Sequence, residues 1–157
     1  MARSLGYRRI LVPIAENVES EKAVDTACRL ASARGATITL VAVVEIPPLL
    51  PLDAHMLEEE ARAHRLLERA GAIADSYGVG VAPCILRERD AARAIVEEAE
   101  TTRAEILVIG APRKAQAKVG AAVLGTTVEH VLKRASCRVM VIGSAPLASN
   151  AIRHAAA

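Results

Sequence analysis

Aromatic residues are almost missing from this chain: it has no tryptophan, no phenylalanine, and only Tyr7 and Tyr77. Proteins that hold single-stranded nucleic acid stack its bases on aromatic rings, and no such platform exists here. A dominant charge is missing too. Twenty Lys and Arg face 18 Asp and Glu, a formal net charge of +2, too weak a field to gather nucleic acid or anionic lipid. Cysteine is scarce. Cys28, Cys84 and Cys137 are odd in number and more than fifty residues apart, which fits neither a disulfide framework nor a zinc spacing. Each stands among apolar neighbours and reads as a small core hydrophobe. Free thiols suit a reducing compartment, so a cytoplasmic location is expected. No apolar run approaches the ~20 residues that span a bilayer. The N-terminus lacks the apolar region of a secretory signal. The expectation is a soluble chain without direct membrane insertion.

What is present suffices for a core. The chain has 157 residues, 52% of them hydrophobic, enough for about one domain with its own buried centre. Strand and helix patterns alternate along it. Residues 9–14 are a short apolar run, read as a buried strand. Residues 16–34 follow with Ala23, Ala27, Leu30 and Ala31 at helical spacing, capped by Asn17 or Ser20 and ended by Gly35. Thr37 to Glu45 is rich in β-branched residues and reads as the second strand. Three prolines between Ile46 and Pro51 predict a rigid, extended loop. A long helix is expected from His55 to Tyr77, with Leu57, Ala61, Leu67 or His64, Ala70 and Ala74 inward and Gly78 as its stop. Val79 to Leu86 reads as the third strand. Asp90 caps a helix to about Thr102 with Ala92, Ile95, Val96 and Ala99 buried. Residues 106–109 are four apolar residues in a row, as in a strand covered on both faces. A last helix carries Val128, Val131 and Leu132 inward, and Arg138 to Ile142 is the fifth strand. The order β-α-β-α-β-α-β-α-β predicts a doubly wound, Rossmann-like α/β fold: a parallel sheet with helices on both faces. The expected division is a leader over 1–6, one domain over 7–144, and a frayed tail over 145–157.

Catalytic chemistry finds little footing. His55, His64, His130 and His154 are scattered without a metal-ligand spacing, so no metal site is expected. No G-x-S-x-G elbow supplies a nucleophile. The dinucleotide fingerprint is absent after the first strand. Gly120 to Thr127 resembles a phosphate loop without its lysine. The chain is therefore not expected to be an enzyme. What remains is Gly110, closing the fourth strand, and Gly125-Thr126-Thr127, opening the last helix. Open α/β sheets take ligands beyond the carboxyl ends of their strands, and helix N-termini attract anions. The same residues also read as a T-x-x-E capping box made by Thr126 and Glu129.

These segments, taken in order, match a family. Ile10-Leu11-Val12-Pro13, Gly35-Ala36, Ala104 through Gly110, Gly125 through Leu132, and Cys137-Arg138-Val139-Met140-Val141 resemble the universal stress protein domain over about residues 7–144. The resemblance implies a five-stranded parallel sheet of order 3-2-1-4-5, a homodimer, and in one branch an adenine nucleotide between strands one and four. That branch carries G-x-x-G, nine residues, then Gly-Ser/Thr. Here Arg113 replaces the second Gly, and eleven residues separate it from Gly125. Ala15 stands where the branch has an Asp closing the first strand, and Ala42 where a His often ends the second. The implied site comprises Pro13, Ile14, Ala15, Val43, Gly110, Arg113, Gly125, Thr126 and Thr127, with ATP, AMP or a cyclic form as the ligand.

A second reading is a dimeric interaction module that binds no nucleotide. The Ile46-Pro47-Pro48 loop and Ala111-Pro112-Arg113 also resemble stress-protein domains appended to bacterial amino-acid permeases, which implies a transporter partner. The dimer has an argument from pattern as well. Val139, Met140, Val141 and Ile142 are uninterrupted apolar residues on what the implied order makes an edge strand. An apolar edge invites pairing with a second copy.

Overall fold

The computed structural model describes residues 6–112 and 125–144. Nine elements follow one another: β1 (Arg9–Pro13), α1 (Val18–Leu30), β2 (Thr37–Glu45), α2 (Leu57–Ser76), β3 (Gly80–Glu88), α3 (Ala91–Thr101), β4 (Ile106–Ala111), α4 (Thr126–Arg134) and β5 (Arg138–Gly143). The strands form one parallel sheet in the order β3-β2-β1-β4-β5. This is the expected α/β architecture with the implied strand order.

Period-two alternation along the strands sends side chains to opposite faces. Ile10, Val12, Ile38, Leu40 and Val108 meet α1 and α2 through Ala23, Val24, Leu67 and Ala70. Leu11, Val41, Leu107 and Ile109 meet α3 and α4 through Ile95, Ala99, Val128 and Val131. Both faces of the central strands are thus dry, which is why their sequences run without polar interruption. Cys28 lies in the first core, and Cys84 and Cys137 pack against the second. Burial pushes all three thiols above their ordinary range, which keeps them protonated and unreactive near neutral pH.

Several local expectations need correction. The first helix stops at Leu30, short of Arg34. Ala31 leaves it to bridge Tyr7, with the Tyr7 N–H donating to Leu30 O and the Ser32 N–H to Tyr7 O, both at 2.8 Å. Gly35, at φ +70, belongs to the turn beyond. On α2 the buried stripe is Ala63, Leu67, Ala70 and Ala74; Leu57, Ala61 and His64 are exposed. Leu132 on α4 is likewise 43% exposed. Asn17 and Asp90 cap α1 and α3 as their positions predict, accepting the N–H of Ser20 at 2.8 Å and of Arg93 at 3.2 Å.

The proline-rich loop is not extended. The Leu50 N–H donates to Pro47 O and the Ala54 N–H to Pro51 O, both at 3.0 Å, which folds it into two turns. Two arginines at the end of β3 hold those turns. Arg89 donates to Pro47 O at 2.9 Å and to Leu50 O at 3.0 Å. Arg87 donates to the carbonyls of Leu52 and Ala54 and pairs with Glu60. The loop's backbone is fastened while Leu49, Leu50 and Leu52 face solvent.

Candidate functional site

The sheet order reverses at β1. β2 and β4 flank it on opposite sides, and open α/β sheets take ligands beyond the carboxyl ends of the strands at such a reversal. A cavity of about 360 Å³ opens there, within the size range of small-ligand sites. Pro13, Ile14, Ala15, Val43, Gly110, Gly125, Thr126 and Thr127 all line it. Of the nine expected site residues, only Arg113 is not placed, because it lies outside the described residues. Sequence reasoning missed Asn17, Ser20, Val41, Ala91, Ile95 and Pro112, among others. Asn17 and Ser20 follow β1 directly, and Ala91 and Ile95 start α3. The strand-end rule could have found the first pair. The second pair enters only through the way α3 packs on the sheet.

The start of α4 differs from the expected capping box. Gly125 is the N-cap, and Thr126 is the first helical residue. Among the described residues, no side chain caps this end. Glu129 instead pairs with Lys133 at 3.3 Å. The first-turn N–H groups of a helix have no intrahelical acceptor, and here they are not satisfied by Thr126. The exposed Thr126 and the half-buried Thr127 border the cavity with their hydroxyls unclaimed by a cap.

Two glycines line the site for different reasons. A Cβ built on Gly110 meets the backbone of Glu19 and Ser20 at 2.5–2.7 Å, so its bare backbone is what lets the first turn of α1 lie against β4. A Cβ on Gly125 meets nothing within 4 Å, and its φ of −64 and ψ of 160 suit any residue. Among the described residues, packing and backbone geometry therefore give no reason for glycine at 125.

The α1 end of the site is locked. Ser20 Oγ accepts the Ala15 N–H at 3.0 Å, and the Ser20 N–H reaches Asn17 Oδ1. Glu19, buried in the same turn, accepts a hydrogen bond from the Ser144 hydroxyl beyond β5. That bond, with Glu19's own N–H, holds its carboxyl below the usual glutamate range. A lowered folded-state pKa adds stability above the unfolded value of about 4.3 and loses it as pH falls through the folded one. Melting curves of the parent and Glu19→Gln are expected to differ most at neutral pH, with the parent higher. The gap should close on acidification.

Among the described residues, no group of three His, Cys, Asp or Glu could hold a metal ion, and no helix is long and apolar enough to cross a membrane.

Comparison with known proteins agrees with this architecture. The universal stress protein family model matches residues 6–143. A universal stress protein of Methanocaldococcus jannaschii is 28% identical over 144 residues, covering 87% of this chain and 82% of the relative. The solved universal stress protein of Archaeoglobus fulgidus in complex with dAMP superposes with a TM-score of 0.68. Its identity is 20%, over 87% of this chain and 98% of that one. A universal stress protein family member from Arabidopsis thaliana with AMP bound gives a TM-score of 0.61 at 19% identity, over 87% and 92%. The match spans the whole sheet and every element that builds the cavity: the chain belongs to the universal stress protein family.

Proposed function

We propose that this chain is a regulatory domain that takes up an adenine nucleotide, ATP, AMP or a cyclic form, in the cavity between β1 and β4, and that it acts by binding rather than by catalysis. The observation that carries this reading is the cavity's make-up. Its body is apolar, and its α4 end offers uncapped N–H groups beside two threonine hydroxyls, which suits a flat base joined to a phosphate. The AMP and dAMP held by fold relatives support the same ligand class. No paired nucleophile and base stand among the described lining residues, and the Ser20 hydroxyl is already held by the Ala15 N–H. Calorimetric titration with ATP, AMP and cyclic AMP tests the proposal. Binding heat is expected for at least one of them. A concentration 100-fold above Kd should raise Tm by roughly 5–10 °C. No heat and no thermal shift at millimolar nucleotide would favour the second reading, an interaction module without a nucleotide. The solvent-facing leucines on the fastened loop after β2 support that alternative.

The functional unit we propose is a homodimer joined through β5. This strand has β4 as its one neighbour among the described residues. Met140 and Ile142 pack on one core and Val139 and Val141 on the other, so both faces are engaged and pairing is left to the edge. Sedimentation equilibrium at tens of micromolar is expected to give twice the chain mass. A single monomeric species rejects the dimer.

A further inference from the structure

The cavity is polar at one end only. Gly125, Thr126 and Thr127 stand at the start of α4, while the tips of β1 and β2 present Ile14, Ala15, Val41 and Val43. A phosphate at the polar end leaves the sugar and base to the rest. In doubly wound nucleotide sites the ribose is held by a carboxylate that accepts its hydroxyl protons. Two carboxylates stand near the strand tips here, and both are engaged elsewhere. Glu45, the last residue of β2, accepts the Ala91 N–H at 3.0 Å at the start of α3. Glu16, beyond β1, pairs with Arg62 of α2 at 3.6 Å and borders an adjoining cavity between α1 and α2, which shares Ile14, Ala15, Asn17 and Ser20 with this one. Among the described residues, no acidic side chain lines the β1–β4 cavity. The remaining side-chain acceptors at the α1 end, Asn17 Oδ1 and Ser20 Oγ, already take the N–H groups of Ser20 and Ala15.

Resting on the nucleotide reading above, we infer that the site selects its ligand by phosphate and by the apolar fit of the base and is indifferent to the sugar's 2′-hydroxyl, so that AMP and dAMP bind alike. A site built to hydrogen-bond a hydroxyl rejects the analogue that lacks it by about 10⁴-fold or more, because its own polar groups are then left unpaired. Among the described residues, no carboxylate lining this cavity waits to accept that hydroxyl's proton, so its loss strands no charged partner.

Calorimetry of the full chain with AMP and with dAMP, in one buffer, decides the matter. The two dissociation constants are expected to agree within about threefold, less than one good hydrogen bond confers. AMP binding tighter by about tenfold or more, the worth of such a bond, overturns the inference and leaves the nucleotide reading standing. No heat with either ligand overturns both. Glu45→Gln supplies an independent check, because the amide oxygen can still accept the Ala91 N–H. Equal AMP and dAMP affinities in this variant support the inference. A selective loss of AMP affinity places Glu45 on the sugar and refutes it.

Discussion

Gly110→Ala is expected to destabilise the fold by about 3 kcal/mol or more, at the upper end of the cost of overpacking a core, with Tm falling by roughly 6–12 °C. The new methyl meets backbone atoms of Glu19 and Ser20 at 2.5–2.7 Å, so no side chain can rotate away to admit it. Either α1 moves off β4 or the strand bends. Movement of α1 also disturbs the Ser20–Ala15 and Glu19–Ser144 hydrogen bonds, which join the same turn to β1 and to the end of β5. Gly125→Ala is the matching control. Its Cβ meets nothing, so the change should cost less than about 1 kcal/mol, the weaker N-cap preference of alanine. Gly125 nevertheless lines the cavity at the end proposed for phosphate, where an added methyl narrows the ligand's space. AMP affinity should fall by about tenfold or more, the worth of a charge-assisted hydrogen bond. Thermal melts and calorimetry on both variants separate the two roles. A stable Gly110→Ala with normal α1 packing contradicts the first, and unchanged AMP affinity in Gly125→Ala contradicts the second.

Ala15→Trp is expected to abolish nucleotide uptake while the domain stays folded. Ala15 is exposed at the end of β1 and lines the cavity. An indole there competes for the space assigned to the base. Exposed substitutions away from special geometry stay within about 0.5 kcal/mol, so the melting curve should hardly move. Calorimetry with millimolar AMP should record no binding heat. Unchanged affinity in a folded Ala15→Trp places the ligand away from the β1 tip.

The sheet was legible because its code is redundant. β2 is read as residues 37–45 from sequence and found as Thr37–Glu45, since β-branched residues and a glycine before them say the same thing. The strand order itself came from family resemblance and not from the residues. The pattern of α2 puts its buried stripe out of phase because alanines lie on several of its faces, so Ala61 and Ala63 look alike until the sheet selects Ala63. The loop after β2 departs from its sequence expectation for a different reason. Its turns are held by Arg87 and Arg89, and prolines predict only what the local chain forbids. Eight of the nine residues expected at the site line one cavity because they sit at strand ends and at one helix start. The engagements of Glu45 with α3 and of Glu16 with α2 depend on partners 46 residues apart in both cases. No local pattern announces them.

The central position of β1 also sets the order in which the chain can be made. Its partners are β2 on one side and β4 on the other, and its Arg9–Ile10 region meets Glu105–Ile106 across almost a hundred residues. A ribosome releases β1, β2 and β3 well before β4, at about 5–20 residues per second. For a time on the order of seconds, β1 has a partner on one flank only. Leu11 and Val12, fully buried in the finished sheet, then border an open apolar edge of the kind that recruits other chains. Refolding in the test tube faces the same wait, lengthened because distant parallel pairings form slowly. The nascent half-sheet is thus the stage at which this protein most needs dilution or a chaperone, and the arrival of β4 closes that edge of β1 and supplies one wall of the cavity, which α4 then completes.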